Sequence, residues 1–179
     1  MEIKIIERDG VPEAIDEAVS TFFSGNRRSV EEHFVGHEEG DSSTIFGYES
    51  GELVGILTIR WKSRNPNLRN QNVPLIQNIE IKAGRRGQGL GNELMAHAED
   101  FIRRRSFKVA ICVSLSEAYG PAQRLYVKRG YIPDGQGFTK VYEPLEPGEL
   151  VRIEPLREGQ EITVAGDILM WLYKDLEEA

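Results

Sequence analysis

The stretch Arg85 to Gly91 reads RRGQGLG and lies between an apolar run, NVPLIQNIEIK, and a periodic one, NELMAHAEDFIRRR. Three glycines in five positions work against a helix, where each costs about 1 kcal/mol relative to alanine. Yet a helical pattern begins at once, with Leu94, Met95, Ala98, Phe101 and Ile102 at helical spacing. A strand that enters a helix through bare backbone leaves the first N–H groups of that helix unpaired, at the positive end of its dipole. Glycines at 87, 89 and 91 keep side chains out of that space, and Arg85 or Arg86 can add charge. The turn therefore suits a phosphate or pyrophosphate.

The remaining pattern supplies the scaffold. EIKIIERD alternates as a first strand, and PEAIDEAVSTFFSG carries helical spacing that ends at Gly25. A polar segment, EEHFVGHEEGDSS, precedes TIFGYES and ELVGILTIRWKS, two strands joined at the hairpin signal Ser50-Gly51. SRNPNLRNQN reads as a polar loop and PLIQNIEIK as a strand. KVAICVSL is apolar almost throughout, as a strand covered on both faces would be. GPAQRLYVKRG is a short helix with Pro121 early and Gly130 at its stop. YIPD begins another strand, Gln136 to Gly159 reads as surface loops, and DILMWLYKDL is the last strand. Strands alternating with helices after an antiparallel start give an α/β layer structure.

At 179 residues the chain has the length of one domain, 1–179. No apolar run reaches the length of a membrane span, and the charged MEIKIIERDG is not expected to be a signal peptide. Cys112 is the single cysteine, so no intrachain disulfide can form and a cytoplasmic location is expected. A net charge of −7 argues against nucleic acid as a partner and suits a cationic one, such as an amine. Basic residues gather at Arg85, Arg86 and Arg103 to Arg105 in this acidic chain, the mark of a small anionic ligand.

No GxxxxGK followed by Ser or Thr occurs, and GQGLGN departs from the dinucleotide fingerprint GxGxxG, with no acidic ribose ligand downstream. A tight strand-to-helix turn without any ligand is the plain alternative. Arg86-Gly87-Gln88-Gly89-Leu90-Gly91 fits Q/R-x-x-G-x-G/A, however, and so resembles the coenzyme A signature of the GNAT (Gcn5-related) N-acetyltransferase superfamily. NIEIK is similar to that family's fourth strand, NELMAHAEDFIRRR to the helix after its pyrophosphate loop, and KVAICVSL to its fifth strand. GPAQRLYVKRGY carries the pattern A-x-x-x-Y-x-x-x-G-[FY]. The resemblance is strongest from about Val73 to Asp134.

It implies a GNAT acyl-CoA N-acyltransferase fold: a mixed six- to seven-stranded sheet with antiparallel N-terminal strands, splayed central parallel strands and flanking helices. It implies acetyl-CoA as co-substrate, no metal, direct acetyl transfer to an amine acceptor and, in many members, a homodimer. By position it assigns the pyrophosphate to Arg86, Gly87, Gln88, Gly89, Gly91 and Asn92. Backbone groups of Ile81, Lys82 and Ala83 would meet the pantetheine arm, the Ile81 N–H serving the oxyanion, with Tyr119 and Gln123 near that arm. Tyr126 matches the tyrosine that protonates the leaving thiolate; a tyrosine packed in the core is the alternative. Glu80, flanked by Ile79 and Ile81, faces opposite to them and is either the base that accepts the amine's proton or an exposed strand residue. The glutamate that some members carry on the fifth strand falls here near Ser114 and is absent.

Other readings remain at this stage: a non-catalytic acyl-CoA-binding or regulatory module, and a nucleotide-binding enzyme. His33 and His37 are expected on a polar surface, His97 exposed, Cys112 buried and inert, Tyr131 packed, and Trp61 and Trp171 in the core or its rim. The acidic segments Glu31 to Asp41 and Glu143 to Glu161 suit a cationic acceptor. The loops Arg64 to Asn72 and Pro144 to Gly159 are placed to cover its cleft or to form a dimer contact.

Overall fold

Ser50 and Gly51 both take positive φ, 52° and 80°, which is what a two-residue hairpin turn needs to match the twist of its strands. The apolar runs on either side therefore fold back on each other as β2 (Ser42–Glu49) and β3 (Glu52–Arg60). They seed a sheet in a computed structural model that describes residues 1–142, 150–160 and 168–176. Before them come β1 (Glu2–Ile5), α1 (Val11–Thr21) and α2 (Arg27–Glu31). After them come α3 (Pro66–Asn70), β4 (Leu75–Ile81), α4 (Leu90–Arg103) and β5 (Lys108–Ser114). The chain continues through α5 (Gly120–Lys128), β6 (Ile132–Tyr142), β7 (Arg152–Pro155) and β8 (Ile168–Asp175).

The strands form one sheet in the order β1-β2-β3-β4-β5-β8-β6-β7, antiparallel everywhere except between β4 and β5. It has eight strands among the described residues, not six or seven, because the segment after Gln136 is not all loop. β6 continues to Tyr142 and pairs with β7 from Thr139↔Pro155 to Tyr142↔Arg152. The prolines, glycines and glutamates there break hydrophobic alternation without preventing an edge ladder. Residues 143–149 and 161 of the acidic stretch Glu143 to Glu161, and with them part of the expected covering loop, lie outside the described residues.

Each face of the sheet is filled differently. α4 lays Leu94, Met95, Ala98 and Ile102 onto Ile45, Leu57, Ile59 and Ile76, all essentially inaccessible to water. Each of these side chains except the smaller Ala98 contributes roughly 1.5–3 kcal/mol by leaving water. On the opposite face α1 and α2 cover Phe46, Leu53 and Ile56. α3, inside what reads as a polar loop, buries Leu68 against Val73, Leu75, Ala110 and Trp171. Its cap is Asn65, whose side chain accepts from the N–H groups of Asn67 (2.9 Å) and Leu68 (3.4 Å). α1 stops at Thr21 and not at Gly25, because Phe22 turns extended and Phe23, Ser24 and Gly25 all have positive φ. No helix among the described residues is long and apolar enough to cross a membrane.

His33 and His37 are buried, at 1% and 8% exposure, not on a polar surface. Val30, His33, Phe34 and His37 recur at helical spacing, so the segment after α2 presents one side to β2 and β3. Thr44 and Thr58 both donate their hydroxyls to the His33 carbonyl, at 2.8 and 3.2 Å. Those hydroxyls are then free to accept from the rings, His33 Nδ1 onto Thr58 at 2.9 Å and His37 Nε2 onto Thr44 at 3.1 Å. Arg60 donates to the Glu32 carbonyl at 2.5 Å and to that of Val35. Burial, reinforced by the Arg60 charge, lowers the His33 pKa to about 4 and lowers that of His37.

A buried neutral histidine binds fewer protons than its unfolded counterpart between its two pKa values, 6.5 and about 4. Stability is therefore full above 6.5 and falls as the pH drops toward 4. Between pH 7 and pH 5 His33 should remove on the order of 2 kcal/mol. Urea unfolding at the two pH values will measure this, and His33→Gln should flatten the dependence. An unchanged slope in that variant would refute the assignment.

Candidate active site

The central strands part soon after they meet. β4 and β5 pair in parallel only at Leu75↔Ala110 and Ile76↔Ile111. On its other side β4 pairs Gln77 with Thr58 and Glu80 with Ile56, so Asn78 and Ile79 stand against Leu57 alone. Asn78, with φ 53°, is the bulge residue. A bulge bends its strand and increases the twist, and here it carries the end of β4 away from Cys112, Val113 and Ser114. The Lys82 N–H donates to the Val54 carbonyl at 3.0 Å. Because donors alternate in direction along an antiparallel ladder, the N–H and C=O of Ile81 turn away from β3, toward the opening. Lys82 and Ala83 do not share that direction. The Lys82 carbonyl accepts from Arg85 N–H at 2.8 Å, and Ala83 lies in a tight turn that closes the strand.

That turn delivers the glycine segment. Gly87 and Gly89 have φ of 76° and 86°, a region in which an L side chain is strained. A Cβ built on either would meet nothing within 4 Å, so the backbone there is bare toward solvent. α4 begins at Leu90, two residues before the expected Asn92, with Gly89 as its left-handed cap. The N–H groups of Asn92 and Glu93 turn back to the Gly89 carbonyl at 2.9 and 3.1 Å. Those of Leu90 and Gly91, in the first turn, have no intrahelical acceptor. Gly91 differs from the other two: its φ is helical, and a Cβ there would make ordinary contact with Ile81 and Leu125 at 3.7 Å. The same contacts put the end of β4, the start of α4 and α5 side by side.

The cations of the segment are already paired. Lys82 reaches Glu52 at 2.6 Å, and Arg85 is held by Glu49 and by Glu52 (3.3 Å) on the β2–β3 hairpin. Arg86 bridges two parts of the site, with Nη2 2.9 Å from Glu80 Oε2 and Nε donating to the Ile81 carbonyl at 3.0 Å. Gln88 Nε2 donates to Gly84 O at 3.4 Å. What the turn offers an anion is chiefly its N–H groups and helix dipole.

α5 faces the same opening. Tyr126 is buried at 7% exposure and tilted against Tyr131, ring centroids 6.1 Å apart. Burial, with nearby Cys112, Tyr119 and Glu80, raises its pKa well above that of a free phenol, so it holds its proton throughout the physiological range. Glu80 shares the sheet face of Ile56, beneath α1 and α2, whereas Tyr126 belongs to the α4 side. A carboxylate and a protonated phenol thus address the gap from opposite faces. Gln123 Nε2 donates to the Ser114 carbonyl at 2.9 Å and braces the end of β5 that β4 leaves unpaired, while Tyr119 is half exposed. Burial pushes the Cys112 thiol up to about 12, which leaves no thiolate nucleophile near neutral pH.

His97 is exposed, Tyr131 and Trp171 are packed, and Trp61 meets Phe101 edge-on, with the Arg105 guanidinium over its ring, at the far end of β4 from Glu80. A separate cleft of about 530 Å³ opens between the start of α1 and the segment after α2, with Arg8, Ile15, Phe34 and His37 in its wall. Among the described residues no group of three or more His, Cys, Asp or Glu could hold a metal. Sequence reading missed the Asn78 bulge, which no local pattern announces, and Glu99 with its partner Arg129. Glu99 could have been found, since it stands within the buried stripe of Met95, Ala98 and Ile102.

The profile of the acetyltransferase (GNAT) family matches residues 12–131. Streptothricin acetyltransferase of Streptomyces lavendulae is 30% identical over 95 residues, which span 52% of this chain and 47% of that protein, about half its length. Among solved structures, an aminoglycoside 6'-acetyltransferase type Ii superposes with a TM-score of 0.64 at 15% identity, covering 100% of this chain and 99% of the other. A Salmonella typhimurium protein solved with its cofactor acetyl-CoA gives 0.60 at 13% identity, covering 100% and 95%. These two show the fold.

The contrast between the glycines is testable with coenzyme A as the probe. Gly89→Ala forces a side chain into a left-handed cap and into the open space, and should weaken binding about ten- to hundredfold, as losing a charge-assisted hydrogen bond does. Gly91→Ala should keep binding near wild type and raise helix stability by up to about 1 kcal/mol. Calorimetric titration and thermal melts of both variants will check this; equal effects at the two positions would contradict the cradle geometry.

Proposed function

The chain belongs to the GNAT acetyltransferase family, and on that premise we propose that it moves the acetyl group of acetyl-CoA directly to an amine. The observation that carries this reading is the opening between β4 and β5, with a bare helix N-terminus at one side and a protonated tyrosine at the other. N–H groups from Gly87 to Gly91 hold the pyrophosphate, and Arg86 swings from Glu80 to join them. The edge of β4 at Ile81 accepts the pantetheine arm as an added strand would be accepted. Its N–H stabilises the thioester oxygen as charge develops there, an interaction worth about 3 kcal/mol in comparable sites.

The amine enters from the face of Glu80. Its nitrogen attacks the thioester carbon, and Glu80, directly or through water, takes the proton it loses. As the carbon–sulfur bond breaks, the Tyr126 hydroxyl protonates the departing thiolate, and solvent returns a proton to the phenolate. The pKa of about 12 for Cys112 supports direct transfer without a thioester on the enzyme. The Glu80 carboxylate, once Arg86 leaves it, suits a cationic acceptor. Streptothricin-type and aminoglycoside amines, named for two similar proteins, head the panel of acceptors to try.

Release of the coenzyme A thiol in the presence of that panel tests the reading. Tyr126→Phe should lower kcat about a hundredfold with the KM for acetyl-CoA little changed. Tight acetyl-CoA binding with no turnover of any amine, and no effect of the substitution, would make the chain a binding module instead. Thermal stabilisation by NAD or ATP, and not by coenzyme A, would overturn the cofactor assignment.

A further inference from the structure

Glu99 lies in the middle of α4, 3% exposed, in a stripe that is otherwise apolar. A lone carboxylate in such a place is strongly disfavoured. It is met by Arg129, with Nε on Oε1 and Nη2 on Oε2 at 2.8 Å each, and by Lys174 Nζ on Oε2 at 2.6 Å. Burial alone would raise the Glu99 pKa, but the hydrogen bonds from Arg129 and Lys174 outweigh it and hold the carboxylate below its ordinary range. A pair of this kind adds little stability over a well-packed apolar substitute, so its geometry is the more informative property.

Arg129 has a third nitrogen to place. Its Nη1 donates to the Asn92 carbonyl at 3.0 Å and to Asn92 Oδ1 at 2.7 Å. Asn92 stands in the first turn of α4, directly after the glycine segment. The backbone of Arg129 closes α5, its N–H donating to the carbonyls of Leu125 and Tyr126 at 3.1 Å. One residue thus grips the turn that carries the free N–H groups and the helix turn that carries the phenol. Glu99 fixes the plane of the guanidinium, and only a planar, forked cation can serve the carboxylate and Asn92 together.

We propose that Arg129 is a positioning residue that fixes the distance between the anion cradle at the start of α4 and the proton donor Tyr126, acting through Asn92 and oriented by Glu99. The proposal rests on the acetyltransferase reading for its kinetic consequence, but not for its structural one. Without the tether the cradle and the phenol drift relative to each other, and errors of about 1 Å in such sites cost up to about a hundredfold in rate.

Arg129→Lys tests it, because lysine retains the ion pair with Glu99 yet cannot also span Asn92. With the fold intact by thermal melt, kcat/KM for acetyl-CoA should fall about ten- to hundredfold, shared between a higher KM and a lower kcat. Asn92→Ala, an exposed change that removes only the 2.7 Å contact, should lose activity in the same sense. The double variant should be no worse than the more impaired single one. Independently of turnover, the amide resonances of Gly87 to Asn92 should shift or broaden in both single variants while those of β1 stay in place. That last readout keeps the proposal testable if the wild-type chain transfers no acetyl group, a result that would sink the proposed function alone. Folded variants with unchanged kinetics and unchanged amides from Gly87 to Asn92 would overturn the positioning role.

Discussion

Two parallel strands that pair at only two positions leave backbone donors and acceptors facing a gap, and such groups must find partners. The rest of the site is arranged around that deficit between β4 and β5. The Asn78 bulge creates it by bending β4, and Gln123 steadies the other lip by bonding the Ser114 carbonyl. Arg86 fills part of the deficit by donating to the Ile81 carbonyl. An extended ligand arm with its own amides can replace Arg86 there and satisfy the Ile81 N–H as well. The gap is a sheet edge held open inside a sheet, and an added strand is what fits it.

Charge plays a smaller part than the arginines suggest. Lys82, Arg85 and Arg86 each face a carboxylate across exposed or half-exposed pairs, and pairs of that kind contribute little net energy. A chain of net charge −7 can still hold an anion if the attraction comes from oriented N–H groups, which do not move and are not neutralised by salt partners. Gly87 and Gly89 make this possible by adopting backbone angles that other residues resist. Arg86 is the cation best placed to change partners, since one of its contacts is to the strand edge and the other to Glu80.

What was legible in the sequence followed from local rules. The Ser50-Gly51 hairpin, the α4 stripe and the Pro121-to-Gly130 limits of α5 each follow from a periodicity or a backbone preference. The glycine turn was legible as bare backbone at the start of a helix for the same reason, although Gly91 proved to be a helical residue in ordinary contact. Features set by distant partners were not legible. His33 read as surface because its partner Thr58 lies 25 residues away, and Asn78 read as an ordinary strand residue because its bulge is defined by β3. Glu99 went unnoticed because its partners Arg129 and Lys174 lie 30 and 75 residues on. The β6–β7 ladder was hidden by prolines and glycines that an edge tolerates.

On the proposed reading, backbone N–H groups at the start of α4 hold the cofactor's pyrophosphate while Ile81 meets its arm. Titrating the ¹⁵N-labelled protein with coenzyme A and following amide resonances tests this most directly. The largest shifts should fall on Gly87, Gln88, Gly89, Leu90 and Gly91, with a second group at Ile81. Saturable shifts centred instead on the cleft around Ile15, Phe34 and His37, with the glycine amides unmoved, would contradict it.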